Sequence, residues 1–151
     1  MYHAIVKRRL LRSFDALNRG DYAVITRQFS KDAVHWFSGV GHPLSGTRRD
    51  GAGIHAWYER LARLMPDLRF TIHHAAVSGW PWDTVAMLQW SDTLHDRQGN
   101  AYANRGVHLI RIRWGQVVEL QVYCDTQYLQ GYFDALVSQG VEEAQAAPIE
   151  S

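Results

Sequence analysis

The segment Gly106–Phe133, GVHLIRIRWGQVVELQVYCDTQYLQGYF, decides the fold class because its hydrophobic period changes within it. Residues 106–114 and 116–124 both alternate with a period of two, which is typical of β-strands. Gly115 marks a tight turn between them, so the two strands should form an antiparallel hairpin. Beyond residue 125 the apolar residues return at helical spacing, as Leu129, Phe133 and Leu136. The segment therefore predicts a hairpin that runs into a closing helix over 127–137.

The rest of the chain extends this hairpin on its N-terminal side. Segments 68–77 and 84–94 also alternate with a period of two, and with 101–114 and 116–124 they predict a four-stranded meander. Before them, apolar residues at helical spacing predict helices at 3–18, shortly after 21, and at 53–64, with one short strand at 33–37. Helices gathered ahead of an antiparallel sheet indicate an α+β fold with the helices on one face.

Length and composition indicate one globular domain. The chain has 151 residues, 46% of them hydrophobic, which predicts a single domain over 1–137 and a polar, frayed tail over 138–151. The formal net charge of +1 and the lack of charge blocks argue against nucleic acid or an anionic membrane as a partner. Cys124 is the only cysteine, and no stretch resembles a signal peptide or a membrane span, so a cytoplasmic protein is expected.

Strand parity predicts which side chains face the interior. On strand 106–114, Arg111 and Arg113 should face water, so His108 on the alternate face should point inward. On the next strand Gln121, Tyr123 and Asp125 share one face. If that face is the inner one, His108 and Asp125 form a polar pair in an apolar environment, which suits proton transfer.

Three ordered segments carry a resemblance to a known superfamily. They are FDALNRGDYAVITRQFSKDAVHWF (14–37), LSGTRRDGAGIHAWYERLARLMPDLRF (44–70) and the opening segment 106–133. Together they resemble the nuclear-transport-factor-2-like, cystatin-like superfamily, and within it the SnoaL-like polyketide cyclases, over about residues 3–137. The resemblance implies a curved antiparallel sheet wrapped around the long helix as a cone with an apolar pocket, and in many members a homodimer.

The resemblance also implies site residues. Asp125 matches the aspartate at the end of the last strand that serves these cyclases as acid/base, with His108 as its partner and Tyr123 as a hydrogen-bond donor. The expected pocket lining comprises His35, Phe37, Trp57, Tyr58, Leu61, His74, Trp90, Gln121 and Leu129.

Each of these site residues has a simpler alternative: Asp125 as the N-cap of the closing helix, His108 as a core histidine, and the aromatic residues as core packing. Of His73 and His74 only one can face inward, and His42 lies in a loop that either closes over a ligand or is exposed.

Sequence differences from other members of this superfamily argue against two of their reactions. The stretch Trp90-Ser91-Asp92 lacks the arginine of limonene-epoxide-hydrolase-like members, and Phe14 and His35 stand where ketosteroid-isomerase-like members carry tyrosine and aspartate. A dehydratase remains open because histidines and tyrosines are available. No metal is expected, since neither His-x-x-x-His nor Cys-x-x-Cys occurs, and no other cofactor is indicated.

Three functions therefore remain. The first is an enzyme that performs cyclisation, isomerisation or dehydration on a small apolar or aromatic molecule, whose identity the sequence does not give. The second is a domain that binds such a molecule without chemistry. The third is a structural domain with a filled cone. A homodimer is expected in each case, because Val107, Leu109, Leu120 and Val122 should place apolar surface on the outer sheet face.

Overall fold

The computed structural model describes all residues from Met1 to Ser151. Helices α1 (Tyr2–Asn18) and α2 (Tyr22–Thr26) come first, followed by strands β1 (Phe29–Phe37) and β2 (Gly46–Arg48) and by helix α3 (Gly51–Leu64). Strands β3 (Arg69–Trp80), β4 (Asp83–His95), β5 (Ala101–Arg113) and β6 (Gln116–Cys124) form the meander, and α4 (Thr126–Ser138) and a 3₁₀ turn (Glu142–Gln145) close the chain. The predicted α+β class and all four meander strands are confirmed.

The strands form one six-stranded sheet in the order β2-β1-β6-β5-β4-β3. The meander pairs are antiparallel, as predicted, but β1 lies parallel to β6, so the sheet is mixed. The chain path allows this parallel pair, because α3 and four strands separate β1 from β6 and no hairpin joins them. The short strand β2, which the sequence did not predict, pairs with β1 from within the glycine-rich loop.

The core lies between the inner sheet face and the helices. Apolar residues at helical spacing on α1, α3 and α4 are buried against alternate residues of β4, β5 and β6. On β4 this inner row is Ala86, Leu88, Trp90, Asp92 and Leu94. Thr84 begins the same buried row, and beyond it the row is apolar except for the carboxylate of Asp92.

The C-terminal tail is docked, so the prediction of a frayed tail over 138–151 is wrong. Glu143 forms ion pairs with Arg60 and Arg63 of α3 at 3.3 and 2.8 Å, and Ala144 is buried. Further along, the Ile149 carbonyl accepts a hydrogen bond from Arg48, and the Ser151 amide donates to the Thr47 carbonyl. The polar composition of the tail did not reveal these partners, because they belong to α3 and β2.

No helix combines the length and the apolar character that crossing a membrane requires.

Candidate active site

A mostly apolar cavity of about 40 Å³ lies between α3 and the inner face of the sheet. Thirteen of its seventeen lining residues are hydrophobic, and the four polar ones are His35, Asp92, Asn104 and His108. Among the predicted pocket residues, the structure places these in its wall: His35, Phe37, Trp57, Tyr58, Leu61, Trp90, His108 and Leu129. A volume of this size holds only a few water molecules, so a larger ligand requires the walls to part.

Asp92 on β4 is the acidic group of this cavity. Its Oδ1 accepts a hydrogen bond of 2.9 Å from the Asn104 amide, whereas Oδ2 has no partner in the protein. Burial among apolar residues raises the pKa of Asp92 to about 6, although the amide of Asn104 opposes the shift. A carboxyl group with such a pKa can both accept and return a proton near neutral pH.

His108 on β5 is a neutral hydrogen-bond donor in the same cavity. The indole Nε1 of Trp90 donates to its Nδ1 at 2.8 Å, so the imidazole proton must sit on Nε2. Burial lowers the pKa of His108 to about 3, which keeps the ring uncharged. Gly106 makes the contact possible, because a Cβ there would collide with the Trp90 ring and the Tyr123 carbonyl.

His35 on β1 is fully buried in the cavity wall. Arg48 on β2 donates from Nε to His35 Nδ1 at 3.1 Å, and burial together with the Arg48 charge lowers the pKa of His35 well below its ordinary value. The remaining ring nitrogen, Nε2, is a buried atom without a hydrogen-bond partner. His35 and His108 are therefore both held neutral with the proton on Nε2.

A second cavity of about 40 Å³ lies beside the first, towards α1 and α2. The two share Leu17, Tyr58 and His108 as lining residues. Tyr58 packs edge-on against His35 with ring centroids 5.5 Å apart, and burial raises its pKa. The two cavities are therefore neighbours that have these three side chains in common.

Asp125, Tyr123 and Gln121 do not face the cavity, so the prediction of an inward-facing set on β6 is wrong. Val107 pairs with Tyr123 and His108 with Val122, which puts Leu120 and Val122 on the inner face. Tyr123 lies outside and packs against Trp36, with ring centroids 4.9 Å apart, and donates a hydrogen bond to Gln121. The sequence of β6 could not fix this parity, since both of its faces carry apolar residues.

Asp125 is the N-cap of α4, the alternative that its position also suggested. Its Oδ1 accepts a hydrogen bond of 3.0 Å from the Tyr128 amide, and its side chain is exposed. Its backbone is fixed to β5 as well, because the Asn104 side chain bonds both its amide and its carbonyl. The polar pair of His108 and Asp125 is thus not formed.

The loop and β3 histidines also differ from the predictions. His74 and His73 are both exposed, because a β-bulge between Ile72 and His74 interrupts the alternation on β3, and His74 is no pocket residue. His42 is buried and bonds the Ser38 carbonyl through Nε2 and the Leu44 amide through Nδ1. It holds the shape of the loop and leaves no free nitrogen for a ligand.

The sequence analysis overlooked Asp92 and Arg48. Asp92 follows Trp90 by two residues, so the same parity that placed Trp90 inside also places Asp92 inside. Arg48 carried no such signal, because a charged residue in a polar loop is normally solvated.

The family model of the SnoaL-like domain matches residues 10–120 of this chain. The search among curated proteins found no match. Solved structures match the fold, among them a nuclear-transport-factor-2-like protein of unknown function from Burkholderia pseudomallei K96243, with 16% identity, coverage of 83% of this chain and 95% of that one, and a TM-score of 0.73.

Two further structures carry functional descriptions. AclR from Streptomyces galilaeus, a candidate hydroxylase, is 20% identical over 92% of this chain and 87% of its own, with a TM-score of 0.65. A candidate SnoaL-like polyketide cyclase from Jannaschia sp. CCS1 is 16% identical over 82% and 87%, also with a TM-score of 0.65. At these identities the matches show the fold, which is the nuclear-transport-factor-2-like cone predicted from the sequence.

Proposed function

Because this chain belongs to the SnoaL-like domain family, we propose that it is a small-molecule enzyme that transfers protons within the cone. The observation that carries the proposal is Asp92, an acid with a pKa of about 6 and a free Oδ2, which is the one carboxylate of a mostly apolar cavity. Desolvation holds it near the protonation midpoint that general acid/base catalysis needs. Neighbours of this fold described as cyclase, hydroxylase and isomerase are compatible with such chemistry.

In the proposed reaction, Asp92 Oδ2 takes a proton from a carbon next to a carbonyl group of the substrate. The C–H electron pair moves into the carbonyl, giving an enolate, and the neutral Nε2–H of His108 donates to an oxygen of the substrate. Return of the proton to another carbon completes an isomerisation. Attack of the enolate carbon on a second carbonyl gives an alkoxide, which takes the proton back from Asp92 and completes a cyclisation. Alternatively, Asp92 returns the proton to a β-hydroxyl group, which leaves as water and gives a dehydration.

The walls indicate which molecules would bind. Trp57, Tyr58 and Trp90 present large rings to the cavity, and the hydrophobic lining offers few polar partners. A flat apolar or aromatic compound with a carbonyl group fits these surfaces best.

Deuterium exchange tests the proposal without knowledge of the natural substrate. Small aromatic ketones, such as acetophenone and β-tetralone, are incubated with the protein in D₂O, and loss of their α-proton NMR signals is followed. The wild type should accelerate exchange, and Asp92→Asn should lower the protein-catalysed rate about a hundredfold or more. Asp125→Asn is the matched control and should retain the rate. Undiminished exchange in Asp92→Asn would refute the assignment.

The small cavity volume supports one second candidate. At about 40 Å³ the cone is nearly filled, which suits a structural domain whose polar groups do no chemistry. Such a domain would show no ketone exchange above the solvent rate in either the wild type or Asp92→Asn.

A further inference from the structure

Arg48 is a fully buried cation without a carboxylate partner. Its exposed fraction is 0%, and none of the ion pairs of the protein includes it. Its η nitrogens donate to the carbonyls of Ser45, Gly46 and Ile149 at 2.8–3.0 Å. These three partners are neutral, and the carboxylate of Glu150, which favours the charged form of Arg48, does not come within ion-pair distance. A buried charge without a direct ionic partner is costly in a protein interior.

The fourth hydrogen bond of Arg48 reaches the cavity wall. Its Nε donates to Nδ1 of His35, and the guanidinium carbon lies 5.5 Å from the centre of the Trp57 ring, which also lines the cavity. A guanidinium can only donate, so Nδ1 must be the acceptor and the imidazole proton is fixed on Nε2. The guanidinium charge of Arg48 thus adjoins the Nδ1 side of a neutral imidazole whose donor is the Nε2–H group of His35.

That donor has no partner of its own. Among buried side-chain nitrogen and oxygen atoms of the protein, Nε2 of His35 alone lacks a hydrogen bond. An unsatisfied buried polar group destabilises the protein, and a ligand atom that accepts its hydrogen bond would remove that cost. No atom of the protein accepts this hydrogen bond, so a molecule bound in the cavity would supply the acceptor.

We propose that His35 and Arg48 form a second polar subsite of the cavity, which binds a carbonyl or phenolic oxygen that carries or develops negative charge. His35 contacts the oxygen through Nε2–H, and Arg48 is a positioning residue that fixes the tautomer and supplies the favourable charge. The ligand class is therefore a small enolisable or phenolic compound. This subsite deepens the proposed function and rests on it, because it receives the oxygen whose neighbouring carbon loses a proton to Asp92.

The C-terminal tail completes this subsite. Ile149 supplies one of the carbonyls that hold Arg48, and its hydrogen bond of 2.8 Å bridges 101 positions in sequence. Removal of the last residues would therefore free one guanidinium N–H group and admit water beside the charge.

Binding of 4-nitrophenol tests the subsite, because its phenolate absorbs in the visible range and the neutral phenol does not. At a pH where the free probe is half ionised, wild-type protein should bind it and increase the phenolate absorbance. His35→Leu should weaken phenolate binding about tenfold or more, since the donor is lost. His35→Gln should retain much of the binding, because one amide can accept from Arg48 and donate to the probe.

Arg48→Lys provides the second variant, since it keeps the charge but loses the rigid geometry of Nε. In the wild type, imidazole ¹⁵N spectra should show His35 as the Nε2–H tautomer, and the probe should shift that signal. In Arg48→Lys the tautomer should become mixed, and phenolate binding should weaken even if the fold is intact.

The outcomes separate this subsite from the role of Asp92. Asp92→Asn should bind the phenolate at least as well as the wild type, because it lacks a competing negative charge. If the wild type binds the phenolate but does not accelerate ketone exchange, only the acid/base role of Asp92 is refuted. Absence of phenolate binding to the wild type, or equal binding by His35→Leu, would overturn the subsite.

Discussion

At the scale of single residues, the site is defined by how each polar side chain is held. Trp90 and Arg48 donate to the Nδ1 atoms of His108 and His35, so both histidines are neutral Nε2–H donors. Asp92 is the one acid among them, and its burial favours the protonated form. Two neutral donors and one weak acid in an apolar cavity form a set that stabilises a developing oxyanion while a proton moves.

The pKa of Asp92 predicts how stability depends on pH. The folded-state value of about 6 lies above the ordinary value of about 3.9 for an unfolded chain, so the folded protein loses stability as pH rises from about 4 to 6. Asp92→Asn removes this loss and should raise the unfolding free energy by about 2 kcal/mol at pH 7, with almost no gain at pH 4.

Urea unfolding at the two pH values measures this difference. Asp32→Asn is the control, since Asp32 is exposed and should show no such gain at either pH. An equal effect of Asp92→Asn at pH 4 and pH 7 would mean that Asp92 titrates normally.

At the scale of elements, β4 and β5 position the site through one close approach. Asp92 pairs with Asn104, Trp90 with Gly106, and Leu88 with His108 along the antiparallel ladder. The missing side chain at Gly106 lets the Trp90 ring lie across β5 towards His108. The geometry of the site therefore depends on the register of this strand pair as much as on the reacting groups.

A pair of glycine substitutions tests this role. Gly106→Ala places a Cβ against the Tyr123 carbonyl and the Trp90 ring, and should destabilise the protein by about 2 kcal/mol or more. Gly131→Ala, in α4 with open space around it, should stabilise the protein by about 0.5 to 1 kcal/mol through helix propensity. Thermal unfolding of both variants gives the comparison, and a neutral Gly106→Ala would contradict the close approach.

At the scale of the whole molecule, the outer face of the sheet is the surface that we propose for a homodimer. Met87 and Tyr123 are about half exposed there, and Trp36, Val107 and Leu109 are partly so. Leu120 and Val122, which the sequence placed on this face, are buried inside instead. The apolar surface remains large after this correction because Met87, Trp36 and Tyr123 replace them.

Sedimentation velocity tests the dimer. The wild type should sediment as a dimer, and the double variant Met87→Lys/Leu109→Lys should shift to monomer, because buried lysines without partners oppose association. Val40→Lys, on an exposed loop, should leave the dimer intact. A monomeric wild type, or a double variant that dimerises equally well, would refute the proposal.

The sequence by itself determined the four helices, five of the six strands, the α+β class and six of the thirteen hydrophobic residues of the cavity wall. Periodicity sufficed for these, since a change from helical spacing to alternation is local in the chain and is enforced by burial. The inward position of Asp92 also follows from the parity of Trp90, two residues before it on β4. Strand β6 shows the limit: with apolar residues on both faces, its parity came only from pairing with β5.

Only the tertiary structure decided the two polar pairs of the site and the placement of the tail. Arg48 lies thirteen positions from His35 and 101 from Ile149, and no local pattern links the three. Asp125 resembled a catalytic acid and an N-cap equally well in sequence, and the path of α4 made it the cap. Such roles depend on which long-range partners reach a side chain, and this is fixed only when the sheet and helices pack together.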